Sequence, residues 1–164
     1  MTTQPETLVT QDMMDRKDRW SEARVSPPIS ESDIRKWAIA VYWPETPPRL
    51  YWDEEYARTT KWSGIVAPWE FNPFAWPVQR EPAPAGLATP QGGGVGTRGM
   101  NGGQEESYHA PMRSGDVIST TTALVDWNER QTRLGLTLFS ITETRWTNQR
   151  GDLVKVRRST GIRY

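Results

Sequence analysis

From Thr46 to Asp53 the chain reads TPPRLYWD, and EEYARTTKWSGIVAP follows to Pro68. A catalytic loop is expected here, yet the stretch holds no histidine. The single histidine is His109, and there is no cysteine. Thiolate metal sites, disulfides and imidazole-rich metal sites are therefore excluded, and proton transfer falls to carboxylates or one imidazole. His109 sits at an expected strand end, in a motif that reads as structural. Glu54 and Glu55 suit the positive end of a helix dipole. Asp116, Asp126 and Asp152 fall at turns or strand edges, as caps or solvated groups. Arg157, Arg158 and Arg163 read as a solvated sheet face rather than a nucleotide contact. GVGTRG at 94–99 spells a G-x-G-x-x-G, but nothing strand-like precedes it and no helix pattern follows, so it lacks the helix N-terminus a phosphate needs.

The elements that must position these residues are legible in part. Residues 1–24 are charged and aperiodic and read as a flexible or draped arm. SESDIRKWAIAVYW gives a helix: Ser30 and Asp33 resemble a capping box, Ile34, Trp37, Ala38 and Val41 share one face, and Pro44 ends it. Asp53 is placed to cap a second short helix, EEYARTT. In APWEFNPFAWP, Pro68 fits a first helical turn, while Pro73 and Pro77 keep any helix short or kinked. Residues 80–103 are dominated by Pro and Gly and form a long loop. Thereafter the period is two. GQEESYH is a first strand; DVISTTTALVDW and RLGLTLFSITETRW are long strands joined by NERQT, with Leu134, Leu136 and Leu138 on one side and Phe139 and Ile141 on the other. TNQRGD then turns into DLVKVRRSTGIRY, where Val154, Val156 and Ile162 keep the alternation. The reading is α+β: at least four antiparallel strands packed on a helix, in one domain over 25–164.

The chain has 164 residues, and its 20 basic and 20 acidic side chains cancel. No basic excess points to nucleic acid or to anionic lipid, and no apolar run is long enough to span a bilayer. A cytoplasmic protein is expected. Nine tryptophans are many for this length; they fill a core and subunit interface, or wall an elongated apolar ligand.

The order helix, LYWDEEYA, SGIVAP, Gly-rich loop, MNGGQEESYHAPMRSGD, long strands and TETRWTNQRGDLV resembles a MaoC-like dehydratase domain, of the accessory or FAS1-like type, over about residues 24–164. The resemblance implies a hot-dog fold, a bent antiparallel sheet wrapped around a central helix. It also implies reversible hydration of an enoyl thioester on coenzyme A or acyl carrier protein, with no metal and no cofactor. Catalytic members carry Asp-x-Asn-Pro-Leu-His-x-Asp. On TPPRLYWD that motif matches Leu50 and Asp53, puts Thr46 at the Asp, Pro48 and Arg49 at Asn-Pro, and Tyr51 at the His. A one-residue slip offers Glu45 for the Asp. Where catalytic members have Ile-Ala-His-Gly, whose Gly N–H binds the oxyanion, IVAP puts Pro68, which has no N–H.

The resemblance thus implies an accessory subunit. Two hot dogs pair as a dimer around one tunnel, with a catalytic partner supplying Asp and His and this chain holding the acyl group. Trp62, Gly64, Ile65, Trp69, Phe74 and Trp76 are the expected substrate-binding residues, and the loop at 80–103 an acyl-tail cover. The alternatives are an independent enzyme with a site rebuilt on Glu45, Tyr51 or Asp53, and a non-enzymatic acyl-binding dimer.

Overall fold

Helical segments precede most of the sheet. The computed structural model describes residues 7–77 and 94–164. Thr10 opens α1 (Gln11–Arg16), accepting from the Met13 N–H at 3.2 Å. Ser30 caps α2 (Glu31–Tyr42), its Oγ accepting from the Asp33 N–H at 3.1 Å, so the Ser30 half of the capping box is formed. Asp53 caps α3 (Glu54–Thr59) as its position predicts. The helix considered after Pro68 does not form. Phe71 N–H reaches Pro68 O, Ala75 N–H reaches Asn72 O, and the Asn72 side chain takes the Phe74 N–H. With prolines at 68, 73 and 77, these local turns replace an i→i−4 ladder.

Among the described residues, five strands form one antiparallel sheet: β1 (Arg24–Val25), β2 (Gly99–Tyr108), β3 (Ile118–Thr132), β4 (Gly135–Asn148) and β5 (Leu153–Arg163), in the order β1-β3-β4-β5-β2. Two boundaries differ from the sequence reading. NERQT does not connect strands; it continues β3, with Asn128 opposite Phe139 and Gln131 opposite Leu136. The reversal is the tight Arg133–Leu134 turn, closed by Gly135 at φ 97°, so Leu134 is exposed there and not aligned with Leu136 and Leu138. The Pro/Gly loop lies outside the described residues through residue 93, Leu87 included, and from Gly99 the chain is strand. Arg98 and Tyr164 exchange both backbone hydrogen bonds, so GVGTRG feeds a β ladder rather than a helix.

One face of the sheet carries the core, in two separate clusters. At the end bearing Ile118, Trp146 and Val154, Ile34 of α2 packs with Ala67, Phe71 and Met112, and Trp37 leans against them. At the other end Leu124, Leu136 and Leu138 are covered by Leu8 and Met13. The arm read as flexible or draped thus carries structure from Thr7 on. Leu8 N–H and the Thr7 hydroxyl donate to Glu129, Arg163 donates to Leu8 O, and Lys17 lies 5.1 Å over Trp127. Val95 packs here too, and a Cβ on Gly96 would come within 2.6 Å of Leu8.

The opposite face mixes apolar residues, Phe139, Ile141, Val156 and Ile162, with the charged Glu143, Arg145 and Arg158. Glu143 is 3 % exposed and holds Arg145 and Arg158, each at 2.7 Å. Burial pushes its carboxyl up, but the Arg158 and Arg145 hydrogen bonds and charges outweigh that and hold it below the usual range. A depressed carboxylate contributes stability above its unfolded value, and that contribution is lost as pH falls through the folded value. Glu143→Gln should therefore cost about 2 kcal/mol near neutrality, reduced from a fully buried pair because both arginines are half-exposed. The difference from wild type should shrink in melts below pH 4. A variant deficit that is independent of pH would assign the loss to packing instead.

Candidate functional site

The TPPRLYWD stretch forms a 3-10 turn (Arg49–Tyr51) leading into α3. It brings Tyr51 against Tyr42, ring centroids 5.9 Å apart, and into the first core cluster. Burial, then the Tyr42 hydrogen bond, push the Tyr51 hydroxyl up to about 12. A phenol held there stays protonated at neutral pH and is no general base. Asp53 is already committed: Oδ1 accepts from the Tyr56 N–H at 3.0 Å and Oδ2 pairs with Arg49 Nη2 at 2.6 Å. The Tyr56 N–H first, then Arg49, hold its carboxyl below the ordinary value. Glu45 is exposed, with its backbone N–H on Tyr42 O. The three acid–base candidates share a loop, but two are locked in structural roles and the third faces solvent.

The expected wall residues separate into groups. Trp62 and Trp69 stack edge to face at 6.0 Å, and Trp69 meets Tyr108 of β2 at 5.3 Å. Trp76 sits 5.7 Å from Trp37 and lines a cavity of about 370 Å³ with Pro27, Ile29 and Phe71. Phe74 lies under Arg24, and Ile65 packs into the first core cluster. Gly64 is buried, at φ 152°, with Arg113 Nη1 3.5 Å from where a Cβ would point. None of the six lines the larger cavity.

That cavity, about 610 Å³, lies between the two core clusters on the same sheet face. It is floored by Leu138, Ser140 and Thr142 of β4 and Ser159 and Gly161 of β5, with Met100 of β2 at its edge. The size suits a small-molecule pocket, and Ser140, Thr142 and Ser159 bring hydroxyls to its floor.

Beyond Ser159 on this face runs a charged row that includes Arg157, which the sequence reading assigned to solvent. The β2–β5 register sets Glu106 opposite Arg157 and Tyr108 opposite Lys155. Arg157 Nη2 is 2.6 Å from Glu106 Oε1, and the Tyr108 hydroxyl donates to Oε2. Burial raises the Glu106 carboxyl, but the Tyr108 and Arg157 hydrogen bonds and the Lys155 charge win, and the net shift is downward. Burial, then the Glu106 hydrogen bond, push Tyr108 up to about 12. Lys155 is 3 % exposed, 4.6 Å over the Trp146 ring. Only the alternation of KVRR against QEESY hinted at this row, and the pairing needs the register. Asp116 also departs from the sequence reading: it is buried, accepting from the Arg113 N–H at 2.9 Å and from Arg150 at 3.2 Å, and so ties two turns together. His109 is exposed, with its backbone N–H on Val154 O. Among the described residues no three His, Asp or Glu side chains converge as metal ligands, and no helix is long and apolar enough to cross a membrane.

A family profile described as the FAS1-like dehydratase domain region matches residues 19–157. Among solved structures, the ChsH1–ChsH2 complex of Mycobacterium tuberculosis matches with TM-score 0.66 at 20 % identity, over 93 % of this chain and 88 % of that one. The MaoC-like dehydratase of Rhodospirillum rubrum gives 0.57 at 19 %, over 87 % and 90 %. The truncated HadBC 3R-hydroxyacyl-ACP dehydratase complex of M. tuberculosis gives 0.54 at 19 %, over 85 % and 95 %. No curated protein matches by sequence.

Proposed function

We propose, for a chain that belongs to the FAS1-like dehydratase domain family and has the hot-dog fold, the role of acyl-binding accessory subunit in an enoyl-thioester hydratase or 3-hydroxyacyl-thioester dehydratase. One observation carries this reading. The positions that the catalytic motif assigns to Asp, His and the oxyanion glycine hold Thr46, Tyr51 and Pro68, while the sheet keeps an open cavity of about 610 Å³. A chain with a place for an acyl group and no acid–base pair is suited to work with a partner that brings Asp and His. Two of the similar structures are themselves two-protein complexes, which supports the same reading by analogy of fold.

The assembly should use β2. It ends the sheet order, and its ten residues present an edge with no partner strand among the described residues. Such an edge invites pairing. The expected result is a dimer joined edge to edge, with itself or preferentially with a catalytic hot-dog subunit, read by light scattering at micromolar concentration. Pro substitution at Glu105, on that strand, should shift the species to monomer. A chain that stays monomeric even when mixed with a catalytic hot-dog subunit removes the proposal.

A further inference from the structure

Lys155 is 3 % exposed, beside Trp146 of the first core cluster, and its ammonium makes no hydrogen bond among the described residues. Its nearest carboxylate oxygen, Glu106 Oε1, is 3.9 Å away. That oxygen is already taken by Arg157 Nε and Nη2, both at 2.6 Å, and Oε2 by the Tyr108 hydroxyl. The ammonium keeps a little contact with solvent, so water meets its donors in the free chain and a ligand oxygen can take that place. The surroundings favour a cation without satisfying its hydrogens: Nζ stands 4.6 Å from the Trp146 ring and 5.9 Å from Tyr108. Burial, partly offset by Glu106, holds the ammonium below the usual lysine range.

Lys155 does not itself line the cavity, but it lies on the same sheet face as residues that do. Lys155, Arg157 and Ser159 alternate along β5 and so share a face, and Ser159 lines the cavity floor. Nζ leans toward Glu106, which pairs with Arg157, the residue between Lys155 and Ser159. From Ser159 to Lys155 is about 13 Å of strand, at about 3.3 Å per residue. The floor itself is not that of a hydrocarbon slot, since Ser140, Thr142 and Ser159 offer hydroxyls beside Leu138 and Arg163.

We propose that Lys155 is a ligand-binding residue whose ammonium donates to a second oxygen function, a carboxylate or a ketone, on the acyl group held in this cavity. Arg157 takes Glu106 Oε1 through Nε and Nη2, so Lys155, 3.9 Å from the same oxygen, keeps its N–H donors free for the ligand. The substrates of the complex are thus oxygenated acyl thioesters rather than plain alkanoyl ones. The proposal rests on the accessory-subunit reading for the thioester, but not for the oxygen at Lys155.

The test is calorimetric titration of the full chain with adipoyl-CoA, 5-oxohexanoyl-CoA and hexanoyl-CoA, for wild type, Lys155→Met and Lys155→Gln. Wild type should bind at least one of the oxygenated thioesters about tenfold or more tighter than hexanoyl-CoA, the scale of a charge-assisted hydrogen bond. Preference for adipoyl-CoA alone assigns a carboxylate, and comparable preference for both assigns a carbonyl oxygen. Lys155→Met should melt no lower than wild type, since it removes a buried charge, and should lose the preference while keeping hexanoyl-CoA affinity. If the Met variant does not fold, the Gln variant and the wild-type preference still decide. A wild type that prefers hexanoyl-CoA, or a preference that survives loss of Lys155, overturns the proposal. If no thioester binds, the accessory-subunit reading falls, and free adipate decides Lys155: binding lost in Lys155→Met upholds it, no binding to wild type overturns it.

Discussion

Purified alone, the chain should hydrate crotonyl-CoA at a turnover below about 0.001 per second, against a median enzyme value of about 10 per second. The shortfall follows from the parts that are missing. A positioned general acid–base group contributes about 10²- to 10⁴-fold, and one oxyanion donor about 10²- to 10³-fold. Tyr51 stays protonated at about 12, Asp53 has one oxygen on the α3 N-terminus and the other on Arg49, and Pro68 has no N–H to give. Adding a catalytic hot-dog subunit that carries Asp and His should restore turnover by several orders of magnitude. Tyr51→Phe and Asp53→Asn in this chain should leave the restored rate within about threefold, provided the fold is intact, because neither touches the reacting atoms in this reading. Turnover by the isolated chain within tenfold of an ordinary hydratase would sink the proposal. A rate that Tyr51→Phe or Asp53→Asn abolishes would establish a rebuilt site in its place.

The second large effect concerns the arm. Deleting residues 1–17 removes Leu8 and Met13, which are 7 % and 0 % exposed, and uncovers Leu124, Leu136 and Leu138. Burying one Leu or Met side chain is worth about 1.5–3 kcal/mol, so the loss should be about 3–6 kcal/mol. Against a total of about 5–15 kcal/mol, that is a large share. The midpoint of thermal unfolding should fall by about 6–24 °C, at about 2–4 °C per kcal/mol for a chain of this size. Met13→Ala alone should cost about 2–4 kcal/mol. An unchanged midpoint after deletion would return the arm to the draped segment its composition suggests. Residues 1–17 lie outside the residues matched by the family profile, which begin at 19.

The arm also shows where local reading stops. The arm is charged and has no period: among its described residues Leu8 and Met13 are the buried ones, with Val9 partly buried beside them. Two apolar contacts at irregular spacing make no recurring apolar face, and what fixes them is a partner surface more than 100 residues away in the chain. The TPPRLYWD stretch behaved oppositely. The absence of histidine, the Asp53 cap and the proline at 68 are properties of residue type, and the fold could not alter them. The α2 helix and the long strands were legible for a similar reason: their periods are local, and the cap at Ser30 needs only a three-residue reach.

Register and face were not local. NERQT has turn-like composition, yet it extends β3 because Gly135 allows the tighter turn two residues later. The tryptophans at 62, 69 and 76 share a composition but not a place: two follow Tyr108 of β2, and the third follows Trp37 of α2. Lys155 and Glu106 stand 49 positions apart, and only the β2–β5 pairing brings their charges together. The α2 and α3 helices, the long strands and the residue types at 46, 51 and 68 were readable along the chain, because each depends on one residue type or one short period. Which side chains share the open sheet face was not, because in a sheet a residue's face and neighbours are set by pairing with strands remote in the chain.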